Sequence, residues 1–250
     1  MMKLNLKMKT ENNGFVRINK FIASNTGMSR RDVDEYIRQG RITVNNITVR
    51  DLGFKINPET DKVAVDGVKV KVEERKIYIM LNKPEKVITT KDDEKKRQTV
   101  MDFIDIKIPV FPVGRLDYDT SGLLLLTNDG DFANDMMHPS SEVKKTYQVK
   151  LSKPLNDRHL AMLQRGIMLE RKKTLPCEIK FTDATDKRNL NITISEGRNR
   201  QIRKMFEALG YFVNKLKRIS YGNLRLGSLK KGEWRMLTQK EITELKNLKK

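Results

Sequence analysis

Three segments far apart in the chain carry side chains that could act together on a substrate. In the first, Arg115, Asp117 and Asp119 stand just before residues 123–126, four consecutive leucines bounded by Gly122 and by the turn signal Asn128, Asp129 and Gly130. An apolar run of that length between breakers reads as a strand buried on both faces. A carboxylate held at the mouth of such a strand is well placed for catalysis, because fixed position is most of what a reacting group needs. Loop aspartates are also common turn formers, so spacing alone leaves an ordinary acidic loop open. In the second segment, residues 144–151 alternate as a strand and put Tyr147 on one face with Val149 and Leu151. In the third, Ile202, Met205, Phe206 and Leu209 form an apolar stripe at helical spacing that Gly210 terminates. Arg203 falls on the edge of that stripe, where it can reach a partly buried carboxylate. Arg200 and Lys204 point away, toward solvent or phosphate.

The elements that must position these groups follow from the same periodicities. Residues 77–81 read as a strand stopped by Pro84, and residues 110–113 lead into the Asp117 segment. Asp131 can cap a brief helix running to Met137 and closed by Pro139. Residues 155–166 read as helical, with strands over 178–181 and 190–194. Trp234, the only tryptophan, is either a core filler or a stacking surface. Ahead of all this, Ile18, Phe21 and Ile22 mark one short helix and Val33, Tyr36 and Ile37 a second, capped by Ser29 and ended by Gly40. Two hairpins follow, turning at Asn45-Asn46 and at Asp66-Gly67. Arg17, Lys20, Arg30, Arg31 and Arg38 line the polar side of the two helices. A solvated cationic face is the ordinary fate of such residues. Clustering at the capped start of the second helix favours phosphate, because free N–H groups and Arg30 and Arg31 point the same way. The reading is an α+β chain with a loose basic tail over 1–14, a small module over 15–73, a charged linker and a larger domain over 77–250, of mixed, mainly antiparallel sheet.

Composition narrows the function classes. Lys plus Arg number 51 against 32 Asp plus Glu, a net charge of +19, and an excess of that size implies a polyanionic partner, nucleic acid first. Cys177 stands alone and His138 and His159 are the only histidines, so there is neither a disulfide framework nor a ligand set for zinc. A carboxylate-only metal site is left open and unsupported. No phosphate-binding glycine loop of the P-loop type is present, and no apolar run approaches the ~20 residues of a membrane span. A soluble cytoplasmic protein is expected, with no membrane association.

Two resemblances sharpen this picture. The wording Arg17-Ile18-Asn19-Lys20-Phe21-Ile22, then Ser29-Arg30-Arg31 and Gly40-Arg41-Ile42-Thr43-Val44-Asn45, resembles the S4-type RNA-binding domain. Gly114-Arg115-Leu116-Asp117 followed by residues 121–130 is similar to the catalytic motif of the RsuA-like ribosomal RNA pseudouridine synthases. Asn82-Lys83-Pro84, Lys145-Thr146-Tyr147 and the run from Glu196 through Arg203 match further motifs of that family in the same order. One position departs: two residues after the Lys-Pro pair the family usually has glycine, and here Lys86 stands, which puts the local turn in question.

The resemblance implies an isomerase that detaches uracil from its ribose, turns the base and rejoins it through carbon, with no cofactor and no metal. Asp117 would be the essential carboxylate, acting on the sugar as nucleophile or as base. Tyr147 would stack on the base and take part in proton removal, and Arg203 would pair with Asp117. Leu216 would pack near the flipped base, Arg115, Lys83 and Arg200 would contact substrate, and Arg17, Lys20, Arg30 and Arg31 would hold RNA. Asp119 would be a loop or structural residue. The implied partner is structured ribosomal RNA with the target uridine flipped out, and the protein is expected to be a monomer. The large subunit is indicated by the wording of residues 199–203 and of Gly232-Glu233-Trp234-Arg235. The alternative from another class is a non-catalytic RNA-binding protein of ribosome assembly or regulation. A nuclease is disfavoured for want of a histidine pair or an acidic metal cluster.

Overall fold

The computed structural model describes residues 14–72, 75–91, 93–183 and 185–248, and the chain divides into two units, Met1–Arg75 and Lys76–Lys250. Most of the stretch expected to be a loose basic tail lies outside the described residues, as do Glu73 and Glu74 of the expected linker.

In the amino-terminal unit β1 (Val16–Arg17) leads into α1 (Ile18–Asn25) and α2 (Arg30–Arg38), followed by β2 (Ile42–Val44), β3 (Ile47–Thr48), β4 (Lys55–Ile56), β5 (Val63–Val65) and β6 (Val68–Lys69). A capping box starts α2: the Ser29 side chain accepts from the Asp32 N–H while the Asp32 carboxylate accepts from the Ser29 N–H. Both hairpins turn where expected. Asn45 and Asn46 have φ of 50° and 67°, Asp66 and Gly67 have 48° and 77°, the positive values that a two-residue turn between twisted strands requires. The strands order β3-β2-β5-β6, and β1 pairs with β4. Ile18, Ile22, Val33, Ile37 and Ile42 are fully buried between the helices and this sheet.

The carboxy-terminal unit is built on β7 (Tyr78–Lys83), β8 (Phe111–Val113), β9 (Ser121–Thr127), α3 (Gly130–Met137), β10 (Lys145–Leu151) and α4 (Asp157–Gln164). Then come β11 (Met168–Leu169), β12 (Lys172–Lys173), β13 (Glu178–Phe181), β14 (Asn189–Ile194), α5 (Gln201–Glu207), β15 (Val213–Tyr221), β16 (Leu224–Arg225), β17 (Trp234–Met236) and α6 (Gln239–Lys246). Nine strands make one sheet ordered β13-β14-β10-β15-β9-β7-β17, with β8 also on β9 and β16 also on β15. All its pairings are antiparallel except β9 with β15.

Strand β9 shows why four leucines stand together. Leu124 and Leu126 enter the core beneath α4 and α5, while Leu123 and Leu125 enter the opposite core beneath α3 and α6. A strand covered on both faces has no polar side to alternate with. Each buried leucine contributes about 1.5–3 kcal/mol. Trp234 is half-buried against the first of these cores. The cap of α3 is Asp129, not Asp131: the Asp129 carboxylate accepts from the Phe132 N–H and from the Tyr78 hydroxyl, so the helix starts two residues earlier than its sequence suggests.

Candidate active site

Asp117 lies in the loop that joins β8 to β9, and the backbone of that loop is tied down carbonyl by carbonyl. The Leu116 carbonyl accepts from the Thr89 hydroxyl at 2.7 Å, that of Asp117 from Lys83 Nζ at 3.1 Å, that of Tyr118 from the Lys86 N–H at 2.7 Å. The Asp119 carbonyl accepts from Arg203 Nη2 at 3.0 Å and that of Thr120 from Lys83 Nζ at 2.8 Å. Five consecutive carbonyls are thus held by groups from other segments. The Asp117 carboxylate itself is half-buried and, among the described residues, accepts no hydrogen bond and makes no ion pair.

Lys83 is fully buried at the end of β7, and its three N–H donors go to the carbonyls of Pro84, Asp117 and Thr120. Burial pulls its pKa down to about 8, against the opposing pull of Glu85, Asp117 and Asp119. Lys83, expected to contact substrate, instead has every ammonium donor taken by backbone oxygen, which makes it a clamp on the loop. Lys86, at the position where glycine was expected, takes the left-handed conformation with φ of 63°, and the turn survives because its N–H is anchored on Tyr118.

Arg203 and its carboxylate require a second correction. Its Nη1 donates to the Val213 carbonyl at 2.8 Å, and Nη2 faces the Asp119 carboxylate at 3.2 Å as well as the Asp119 carbonyl. The fork is filled by β15 and by Asp119, so Arg203 pairs with Asp119 rather than Asp117. Arg200, in a left-handed conformation at the start of α5, also faces Asp119, at 3.5 Å. Its placement is set by Glu196, which accepts from Gln201 Nε2 at 2.6 Å and from Arg198 Nε at 3.0 Å and so fixes the entry to the helix.

Tyr147 is almost buried on β10, in one apolar cluster with Leu116, Leu124 and Leu216. Leu216 sits on β15 opposite Val149 of β10. Tyr147, Arg218 and Gly122 form one row across β10, β15 and β9, so roughly 10 Å separates the Tyr147 backbone from the strand that carries the Asp117 loop. Arg218, which sequence reasoning passed over, braces this row. It is buried, its Nε donates to the Leu123 carbonyl at 2.6 Å, and its Nη1 lies 3.5 Å from the Tyr147 hydroxyl. Its alternation with Leu216 along β15 was the available signal. Gly122, with φ of 107°, allows the close approach: a Cβ there would come within 2.2 Å of the Arg218 carbonyl oxygen. Lys145, beside Arg218, is also drawn down to about 8 by burial, then by that neighbouring positive charge.

The structure therefore brings Lys83, the Asp117 loop, Arg200, Arg203, Tyr147 and Leu216 onto adjoining strands and helix α5 of one unit. Arg115 is exposed on the same loop. Arg17, Arg30 and Arg31 are exposed and Lys20 half-buried in the amino-terminal unit, where Arg30 and Arg31 open α2. Among the described residues no group of three or more His, Cys, Asp or Glu could hold a metal ion, and no helix is long and apolar enough to cross a membrane.

Residues 77–208 match the family of RNA pseudouridylate synthases, and residues 16–61 match the S4 domain. Ribosomal large subunit pseudouridine synthase B of Bacillus subtilis is 46% identical, covering 93% of this chain and 96% of its own length. The dual-specificity RNA pseudouridine synthase RluF of Escherichia coli is 36% identical over 92% of this chain and 78% of its own. A solved crystal structure of a pseudouridylate synthase, 36% identical, superposes with a TM-score of 0.68 over 92% of this chain and 99% of that one. With its S4 domain leading and the Asp117 loop set in the matched region, the chain belongs to the RNA pseudouridylate synthase family.

Proposed function

We propose that the protein converts a uridine of large-subunit ribosomal RNA to pseudouridine, with Asp117 as the reacting carboxylate. The observation that carries this reading is a carboxylate without a hydrogen-bond or ion-pair partner among the described residues, on a loop with five consecutive carbonyls tied. An acid so placed meets the substrate already oriented. The uridine is unstacked into the site, since its glycosidic bond is out of reach within a stem. Asp117 acts at the ribose as nucleophile or as base while the bond from C1′ to the base nitrogen breaks. The base turns, C1′ rejoins it at carbon 5, that carbon gives up its proton, and the ring nitrogen released from C1′ takes one up from solvent, so the product is an isomer of the substrate. Tyr147 and Leu216 supply the surface on which the base turns, and Tyr147 is the group placed to assist that proton's departure. Arg203 holds the loop through Asp119, and Arg200 and Arg115 face the RNA backbone.

The S4 domain, over 15–73, holds the RNA at a second point through Arg17, Lys20, Arg30 and Arg31, raising the effective concentration of target at the domain over 77–250. Such an enzyme works as a monomer in the cytoplasm, where ribosomal RNA is processed in a bacterium. The large-subunit assignment is supported by the name of the Bacillus subtilis relative.

The test is release of tritium from unmodified large-subunit RNA labelled at uridine carbon 5. Wild-type protein should release it and Asp117→Ala should not, with RNA affinity kept. A wild type that binds the RNA but releases no tritium would replace this reading with that of a non-catalytic assembly protein.

A further inference from the structure

We propose that Tyr118 is a stacking platform for the nucleotide next to the target uridine, an inference that rests on the reading of Asp117 as the reacting group. Tyr118 is 51% exposed although it is the middle one of five consecutive residues whose carbonyls are all held. Its own carbonyl is anchored by the Lys86 N–H, and the carbonyls on either side by Lys83 and Arg203. The loop presents this aromatic ring to solvent, one residue from Asp117.

RNA supplies the partner that such a ring fits. When a uridine leaves its stack, each neighbouring base loses a covered face, and an aromatic side chain can take that face whatever the base. Because the backbone of Tyr118 is fixed before binding, little order remains to be gained on contact. The charges around it suit the adjoining phosphates. Lys86, whose N–H holds the Tyr118 carbonyl at 2.7 Å, is exposed beside it. Arg115, on the same loop, is exposed.

The experiment uses the full chain with an in vitro transcript of large-subunit RNA, in single-turnover tritium release, with Tyr118→Ala, Tyr118→Phe and Tyr118→Trp. The alanine variant should lose about tenfold in rate at subsaturating enzyme, the lower part of the range for one base–aromatic stack, while Phe and Trp stay near wild type. In the inactive Asp117→Asn background, 2-aminopurine placed beside the target should change fluorescence on binding, and the change should vanish when Tyr118→Ala is added. An alanine variant within twofold of wild type and an unaltered fluorescence change would overturn the stacking role alone. A phenylalanine variant as slow as alanine would also overturn it, by assigning the effect to the hydroxyl. A wild type without activity would overturn both the role and the reading beneath it.

Discussion

The Asp117 loop and the start of α2 are both places where this chain is expected to meet RNA, and they are built in opposite ways. At the loop, the cations are buried and paired inward: Lys83 on three carbonyls, Arg203 on Val213 and Asp119. At α2, Arg30 and Arg31 are exposed at the start of a helix capped by Ser29. Chemistry needs one carboxylate held to a fraction of an ångström, so the surrounding cations serve as scaffold. Backbone binding needs charge at roughly the right place, so the cations there are left to solvent and phosphate.

The contrast can be broken most severely at Lys83. Lys83→Met should cost about a hundredfold in the chemical step, as expected for a misplaced reacting group, and leave RNA affinity near wild type. If affinity falls instead of rate, Lys83 is a binding residue after all. The same clamp predicts a pH effect. With a folded pKa near 8 against an ordinary 10.5, Lys83 sheds its proton in the folded protein before it does in the unfolded chain. From this group, stability is therefore lowest below pH 8 and rises between pH 8 and 10.5, as the burial cost of the charge is relieved. The loop meanwhile loses one of the three donors of the ammonium, so the rate should decline above pH 8 without a matching fall in melting temperature. Lys145 has a similar pKa, and Lys145→Met should retain the decline; its disappearance in that variant would assign the titration to Lys145.

A smaller effect is expected one residue beyond Tyr118. Asp119→Asn removes the carboxylate from Arg203 and Arg200 but leaves the backbone bond to Arg203, so the rate should fall about tenfold, the value of one charge-assisted hydrogen bond. Complete loss there, with an active Asp117→Asn, would move the reacting role to Asp119. The smallest effect on rate belongs to α2. The double change Arg30→Ala and Arg31→Ala should leave saturated turnover unaltered and flatten the salt dependence of RNA affinity by a slope of about 2. An unchanged slope would mean that these arginines do not meet phosphate.

Much was legible in the sequence because it was local. The Ser29 cap, the positive-φ turns at Asn45-Asn46 and Asp66-Gly67, and the leucine run of β9 are set by the conformational limits and polarity of a few neighbouring residues. Motif order carried the family, and with it the pointer to Asp117. Only the tertiary structure decided which partner each charge takes. Arg203 reaches Asp119 across 84 positions and Lys83 reaches Asp117 and Thr120 across 34 and 37. Asp129 rather than Asp131 caps α3, where it also accepts the Tyr78 hydroxyl from β7. Such choices turn on tenths of an ångström between segments that the sheet brings together, and no window of sequence contains both ends.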